Sequence, residues 1–257
     1  MGNIVAQMFP PKFQPERDMP DLSGKITLVT GGNTGIGYQT VKQLLLKNAK
    51  VYLAARSEEK AAAAIQKLEE ETKKTALFIQ LDLADLPSVR KAAETFLAQE
   101  QKLDILFNNG GVMVSPPEML TAQNFDLQFG TNVIGHYFLT DLLLPALKAS
   151  YEESKIPARV INTSSMGHQF APSTGIEFVS LKGGPERDAW VKKAGSFMGP
   201  CMGAHTQLWA GTVATPAQIT GQYVVPWGQV GKPDKRALNT KLEEEVVAYI
   251  KEQVKDF

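Results

Sequence analysis

The residues with the clearest chemical content are Thr30-Gly31-Gly32-Asn33-Thr34-Gly35-Ile36-Gly37, which stand between a short apolar run and an amphipathic stretch. Glycines at such a point let the backbone turn tightly and approach a ligand closely. The opening turn of the following helix adds N–H donors and the positive end of its dipole. That combination suits a pyrophosphate, and its place between a first strand and a first helix makes the pattern specific. His136, His168 and His205 are scattered without ligand spacing and read as surface or hydrogen-bonded residues, not as a metal site. Cys201 is the single cysteine, which excludes a disulfide framework or a thiolate cluster and fits a reducing compartment.

The elements that must position this turn follow from hydrophobic periodicity. Strands are expected at Ile26–Val29, Val51–Ala55, Leu77–Gln80, Leu103–Phe107 and Arg159–Asn162. Between them lie helical patterns. The first runs through Val41, Leu44 and Leu45; the second is capped by Ser57, with Glu58 and Glu59 in its first turn and Lys73 and Lys74 in its last. Pro87 sits near the start of a third, and a long fourth carries Phe125, Phe129, Val133 and Tyr137 along one side. Strands alternating with helices imply an α/β, Rossmann-type doubly wound parallel sheet with right-handed crossovers. Residues 1–22, rich in proline, read as an arm lying on the surface, and 23–257 as one domain. After Ser165 the rhythm fails, with no clear strand over 166–200. A helix at 203–211, a strand at Gln222–Val225 and a closing helix at Lys241–Lys255 follow.

Composition bounds the function. The chain has 257 residues, and its 43% hydrophobic content suffices for a sizeable core. Lys plus Arg (27) balance Asp plus Glu (27), so the basic excess expected of a nucleic-acid or anionic-lipid binder is missing. No stretch approaches ~18 apolar residues and no signal-peptide core opens the chain. A cytoplasmic protein acting on small molecules is expected, without a membrane span.

The spacing Gly-x-x-x-Gly-x-Gly, unlike the Gly-x-Gly-x-x-Gly of ordinary dinucleotide-binding dehydrogenases, resembles that of the short-chain dehydrogenase/reductase family. Leu81-Asp82-Leu83, Asn108-Asn109-Gly110-Gly111 and Thr131-Asn132-Val133 are similar to three further motifs of that family. Asn162-Thr163-Ser164-Ser165, Gly175-Ile176-x-Phe178 and the chain length look like its retinol-dehydrogenase-like branch, especially the fungal members. The resemblance implies a cofactor set of Gly31, Asn33, Gly35, Ile36, Gly37, Arg56, Asp82, Leu83, Asn108, Asn109 and Gly110. Asp82 would contact the adenine, and Asn132 would sit at a helix kink that holds a proton-relay water. Ser165, with Ser164 as the alternative, would hydrogen-bond the reacting oxygen of a carbonyl or alcohol substrate. Relatives often form homodimers through the helices after the fourth and fifth strands.

Arg56 lies 19 residues after Gly37, where an NAD enzyme would place a carboxylate on the ribose 2′-hydroxyl. A guanidinium there pairs with a 2′-phosphate, which favours NADP(H) over NAD(H), although Asn33 adds no second positive charge. The family's chemistry also needs a Tyr with a Lys four residues later, the Lys lowering the phenol from its reference value of ~10. No Tyr occurs between Tyr151 and Tyr223. Tyr151-x-x-x-Lys155 precedes the fifth strand, on the wrong side of the sheet, and Tyr38-x-x-x-Lys42 follows the glycine loop too closely to reach a nicotinamide carbon. The gap reads as a missing block on the order of 60–70 residues joined near Phe197–Met202, containing the catalytic helix and a sixth strand. The Gln222–Val225 strand is expected to take that strand's place, giving six strands. An oxidoreductase impaired or inactive for want of Tyr and Lys is the expectation, with a non-catalytic NADP(H)-binding protein as the alternative.

Overall fold

The computed structural model describes residues 13–113, 115–164, 174, 176–194, 224–225, 229–230 and 238–257. Its centre is a parallel sheet whose strands are β1 (Ile26–Thr30), β2 (Lys50–Ala55), β3 (Leu77–Gln80), β4 (Ile105–Asn108) and β5 (Arg159–Asn162), in the order β3-β2-β1-β4-β5. The chain winds outward from β1 to β3, then crosses back to lay β4 on the other side of β1. In such sheets the crevice opens outside the carboxyl ends of the strands where the order reverses.

Alternation along each strand sends neighbouring residues to opposite faces, and each face has its own helices. Val29, Val51, Leu53, Ile105 and Phe107 pack under helices α2 (Gly35–Leu46) and α3 (Glu58–Thr72). Leu28, Tyr52, Ala54 and Leu106 pack under α4 (Leu86–Leu97), the helix His136–Ser154 and the closing helix Thr240–Val254. Ser57 caps α3 as expected, its Oγ accepting from the Lys60 N–H at 3.2 Å. Lys73 is the left-handed residue that ends α3 (φ 59°) and not part of its last turn. Lys74 donates instead to the Leu45 carbonyl of α2 at 2.8 Å.

Two expectations are corrected. Residues 13–22 are not merely an arm on the surface: a short helix, α1 (Pro15–Asp18), places Phe13, Met19 and Leu22 in the core under α2, each 5% exposed or less. Apolar side chains at those positions gain more from burial than an extended arm would allow. The sheet also has five strands among the described residues, not six. Val224–Val225 pairs antiparallel with Gln229–Val230 as a separate two-stranded ribbon. A three-residue connection brings those segments together at little entropic cost, whereas parallel pairing to β5 needs a crossover of a dozen residues or more. The expected helix at 203–211 lies outside the described residues.

Buried Asp104, just before β4, ties the lower end of the sheet. It accepts from Lys25 Nζ (2.8 Å), the Ile26 N–H (2.8 Å) and Ser150 Oγ (3.0 Å). Removing the carboxylate leaves three donors without their acceptor in a buried setting. Asp104→Ala is expected to destabilise the fold by about 3 kcal/mol in chemical denaturation, and Asp104→Asn by less.

Candidate nucleotide-binding site

A cleft of about 300 Å³ opens at the carboxyl ends of β1, β2, β3 and β4. Of the residues singled out from the sequence it is lined by Gly31, Asn33, Arg56, Asp82, Leu83 and Gly110. Gly35, Ile36, Gly37, Asn108 and Asn109 are not part of this lining. A Cβ at Gly37 would collide with the Gly31 carbonyl, and a Cβ at Gly31 would come 2.8 Å from Gly110 Cα. Three backbone segments therefore meet without side chains, which is what a phosphate-bearing ligand needs to come close. Thr34 precedes α2 without a side-chain cap, so the first-turn N–H groups have no capping oxygen from it.

Asp82 is half-buried, and one carboxylate oxygen accepts from the Ala84 N–H at 2.9 Å. Asn108 is buried; its Nδ2 donates to Asn162 Oδ1 (2.8 Å) and Thr140 Oγ1 (3.0 Å), bracing β4 against β5. Asn109 donates from Nδ2 to the Thr30 carbonyl at 2.9 Å.

Sequence reasoning missed Lys60, which lines the same cleft as Arg56 and Ser57. Its signal was the four-residue spacing from Arg56. In the first turn of α3 a side chain leans back toward the helix N-terminus, hence toward the end of β2. A cation there opposes the helix dipole, so a nearby anion would relieve it. Lys60 is thus a second positively charged side chain at the cleft, beside Arg56. Thr131 was also missed: it lines the cleft, and its Oγ1 is a buried hydroxyl with no protein partner.

Beyond β4 the helix is interrupted. After α5 (Leu127–Phe129) comes a π-turn, Gly130–Gly135, and then α6 (His136–Ser154). The irregularity falls at Asn132, where a kink was expected, and it takes Val133 out to 38% exposure, off the buried side that Phe125 keeps. Asn132 clasps Val112 with both side-chain atoms, accepting from its N–H at 2.9 Å and donating to its carbonyl at 2.8 Å. Ser165 lies outside the described residues; Ser164 is exposed just past β5.

His136 is buried and hydrogen-bonded, not a metal ligand; among the described residues no group of His, Cys, Asp and Glu could hold an ion. Its Nε2 is 2.8 Å from Thr30 Oγ1 and its Nδ1 2.9 Å from the Asn132 carbonyl. The Thr30 hydroxyl already accepts from the Asn109 and Gly110 N–H groups, at 2.9 and 2.8 Å. With both lone pairs taken, its one proton goes to Nε2, nearer than the Phe107 carbonyl at 3.3 Å. His136 is therefore neutral, with its proton on Nδ1.

Neither Tyr-x-x-x-Lys match lines the cleft. Burial, helped by the Glu71 carboxylate, pushes the Tyr38 phenol up to about 12, and Lys42 is engaged with Glu71 at 3.0 Å. Tyr151 and Lys155 sit at the C-terminal end of α6, before β5, with Lys155 paired to Glu152 at 2.8 Å. Burial also raises Tyr52, Tyr137 and Tyr249. A phenol that exchanges protons near neutral pH needs the opposite shift.

Residues 25–184 match the family profile described as short chain dehydrogenase. A short-chain dehydrogenase/reductase of Armillaria gallica is 42% identical over an alignment of 313 positions that spans all of both chains. Retinol dehydrogenase 11 of mouse is 43% identical over 163 residues, 63% of this chain and 49% of its own. Among solved structures, an uncharacterized protein of Mycobacterium paratuberculosis superposes with a TM-score of 0.72 at 26% identity, covering 95% of this chain and 97% of its own. The NADP active-site complex of RhlG from Pseudomonas aeruginosa superposes with a TM-score of 0.51 at 29% identity, over 68% of this chain and 66% of its own. The chain belongs to the short-chain dehydrogenase/reductase family of oxidoreductases, and within it to the retinol-dehydrogenase-like type. Against 257 residues, an alignment of 313 positions places at least 56 of them opposite gaps in this chain. Among the described residues no helix is long and apolar enough to cross a membrane.

Burial pushes His136 down to about 4, against an ordinary value of 6.5, while its bond to the Asn132 carbonyl acts weakly the other way. The unfolded chain then binds the proton first as pH falls. The contribution is full above pH 6.5, declines through the window from 6.5 to 4 and levels off below. Chemical denaturation is expected to show about 2 kcal/mol less stability from this group at pH 5 than at pH 7. His136→Gln should remove that slope.

Proposed function

We propose that the chain binds NADP(H) in this cleft and does not carry through the carbonyl–alcohol interconversion of its family. The observation that carries this reading is the composition of the cleft: its nucleotide-holding elements are complete, while no described Tyr–Lys pair reaches it. The residues fit the group. The Gly31–Gly37 crossing leaves room for phosphates at the N-terminus of α2. Arg56 and Lys60 supply two charges for a 2′-phosphate, with Ser57 and Asn33 beside them. Asp82 offers a carboxylate to an exocyclic amine, and Thr131 Oγ1 is a hydroxyl still in want of a partner. A structural neighbour was solved with NADP in its active site.

The nicotinamide, when bound, supplies or takes up a hydride at carbon. The chain must then move a proton at the substrate oxygen, using a phenol whose pKa is lowered by a lysine. Ser165 would hold that oxygen, and Asn132 would support the relay from the π-turn, but a hydrogen bond alone moves no proton. The gaps forced by the 313-position alignment support a missing block as the cause.

A thermal-unfolding titration with NADPH and NADH tests binding, since a ligand specific for the folded state raises the midpoint once it exceeds Kd. Arg56→Ala and Lys60→Ala are each expected to weaken NADPH by about 10- to 100-fold while hardly changing NADH. Equal losses for the two nucleotides would refute the phosphate assignment. With saturating NADPH and a panel of aldehydes and ketones, no steady-state loss of nicotinamide absorbance is expected. Sustained turnover would show that another group moves the proton.

A further inference from the structure

The wall of the cleft at Asn109-Gly110-Gly111-Val112 holds two glycines with no side chains to anchor them, and Gly111 is exposed. Gly110 packs against Gly31, and hydrogen bonds hold the wall at its two ends. At one end Thr30 Oγ1 accepts from the Asn109 and Gly110 N–H groups. At the other the Asn132 side chain clasps both backbone groups of Val112. His136 spans the two holders, accepting from the Thr30 hydroxyl through Nε2 and donating from Nδ1 to the Asn132 carbonyl. The result is a closed ring: Thr30, the wall, Asn132, His136 and back to Thr30.

We propose that His136 is a positioning residue for nucleotide binding, closing the ring that sets the Gly110–Val112 wall before a ligand arrives. The inference rests on the reading of the cleft as a nucleotide site. A histidine serving only the core could be replaced by an apolar ring of similar volume and spare the desolvation of two nitrogens. Here both nitrogens are spent on groups that hold the cleft wall. Thr30 is fully buried at the end of the central strand, which makes it a fixed point. Asn132 sits in a π-turn, whose irregular backbone has alternatives, so the tie from His136 fixes the softer holder to the harder one. A wall held in its binding shape loses less conformational freedom when the ligand lands.

The test uses the whole chain and three variants. His136→Phe keeps a planar ring and loses both bonds. His136→Gln can keep an acceptor for Thr30, and Thr30→Val keeps the β-branched shape while removing the hydroxyl. Two quantities are read well below each thermal midpoint: Kd for NADPH, and amide hydrogen exchange at Gly110 and Val112 without nucleotide. His136→Phe is expected to weaken NADPH at least about fivefold. It should also speed exchange at Gly110 and Val112 while leaving the β1–β2 ladder as protected as before. His136→Gln should recover part of both effects, and Thr30→Val should reproduce the loss; these two decide the matter if His136→Phe does not fold.

Wild-type affinity and exchange in His136→Phe would overturn the proposal. So would a loss of protection spread evenly over β1 and β2, the mark of general destabilisation. A wild-type chain that binds no NADPH would refute the nucleotide reading alone, and exchange at Gly110 and Val112 would still decide whether His136 sets the wall.

Discussion

The hydroxyl of Thr30 is the point on which the binding half of this molecule turns. It has one proton and two lone pairs, and all three are committed: two to the backbone leaving β4, one to the imidazole that opens α6. Through it the end of the central strand fixes where the neighbouring strand exits. Through His136 it also fixes where the π-turn lies. The glycine turn begins at the next residue, so the glycine loop and the opposite wall share one anchor. Full burial strengthens this arrangement, because no water competes for the hydroxyl.

The remainder of the site is placed by the sheet. Reversal of strand order between β1 and β4 opens the crevice, and parallel pairing brings the carboxyl ends of β1 to β4 to one rim. Cleft-lining groups then come from short segments after each strand: Gly31 after β1, Arg56 after β2, Asp82 after β3, Gly110 after β4. Each is held by local chemistry of its own. Ser57 caps the helix that carries Lys60, and Asp82 closes a turn on Ala84.

The β5 edge of the sheet is less covered than its centre. β1, β2 and β4 are buried almost throughout, whereas Val160 and Asn162 of β5 are exposed. Among the described residues only β4 pairs with β5. Relatives that align end to end do so over more positions than this chain has residues. The part of the sheet that carries the cleft has a core on both faces, because its helices α2, α3, α4 and α6 all come from residues 35–154.

Much of this was legible in the sequence. Short apolar runs located all five strands to within a residue or two: β1, β2 and β4 are buried on both faces and leave a continuous apolar signal, while the half-exposed β3 and β5 were marked by their β-branched and aromatic residues and their place between helical patterns. The glycine spacing located the turn because a close backbone approach admits nothing else there. Arg56 was legible by its distance from Gly37. The absence of any Tyr between Tyr151 and Tyr223 is a property of the sequence and needs no coordinates. Other features were decided only by tertiary structure. Whether Val224–Val225 joins the sheet depends on which partner can be reached, and a short connection favoured Gln229–Val230. Lys60 became a cleft residue only once α3 was laid over the end of β2. The protonation of His136 was settled by a hydroxyl 106 positions away. Hydrogen-bond counting at a buried atom requires all its neighbours, and in a parallel sheet those neighbours come from strands and crossovers far apart in the chain. Periodicity and motif spacing carry information along the sequence; the state of a buried polar group is set across it.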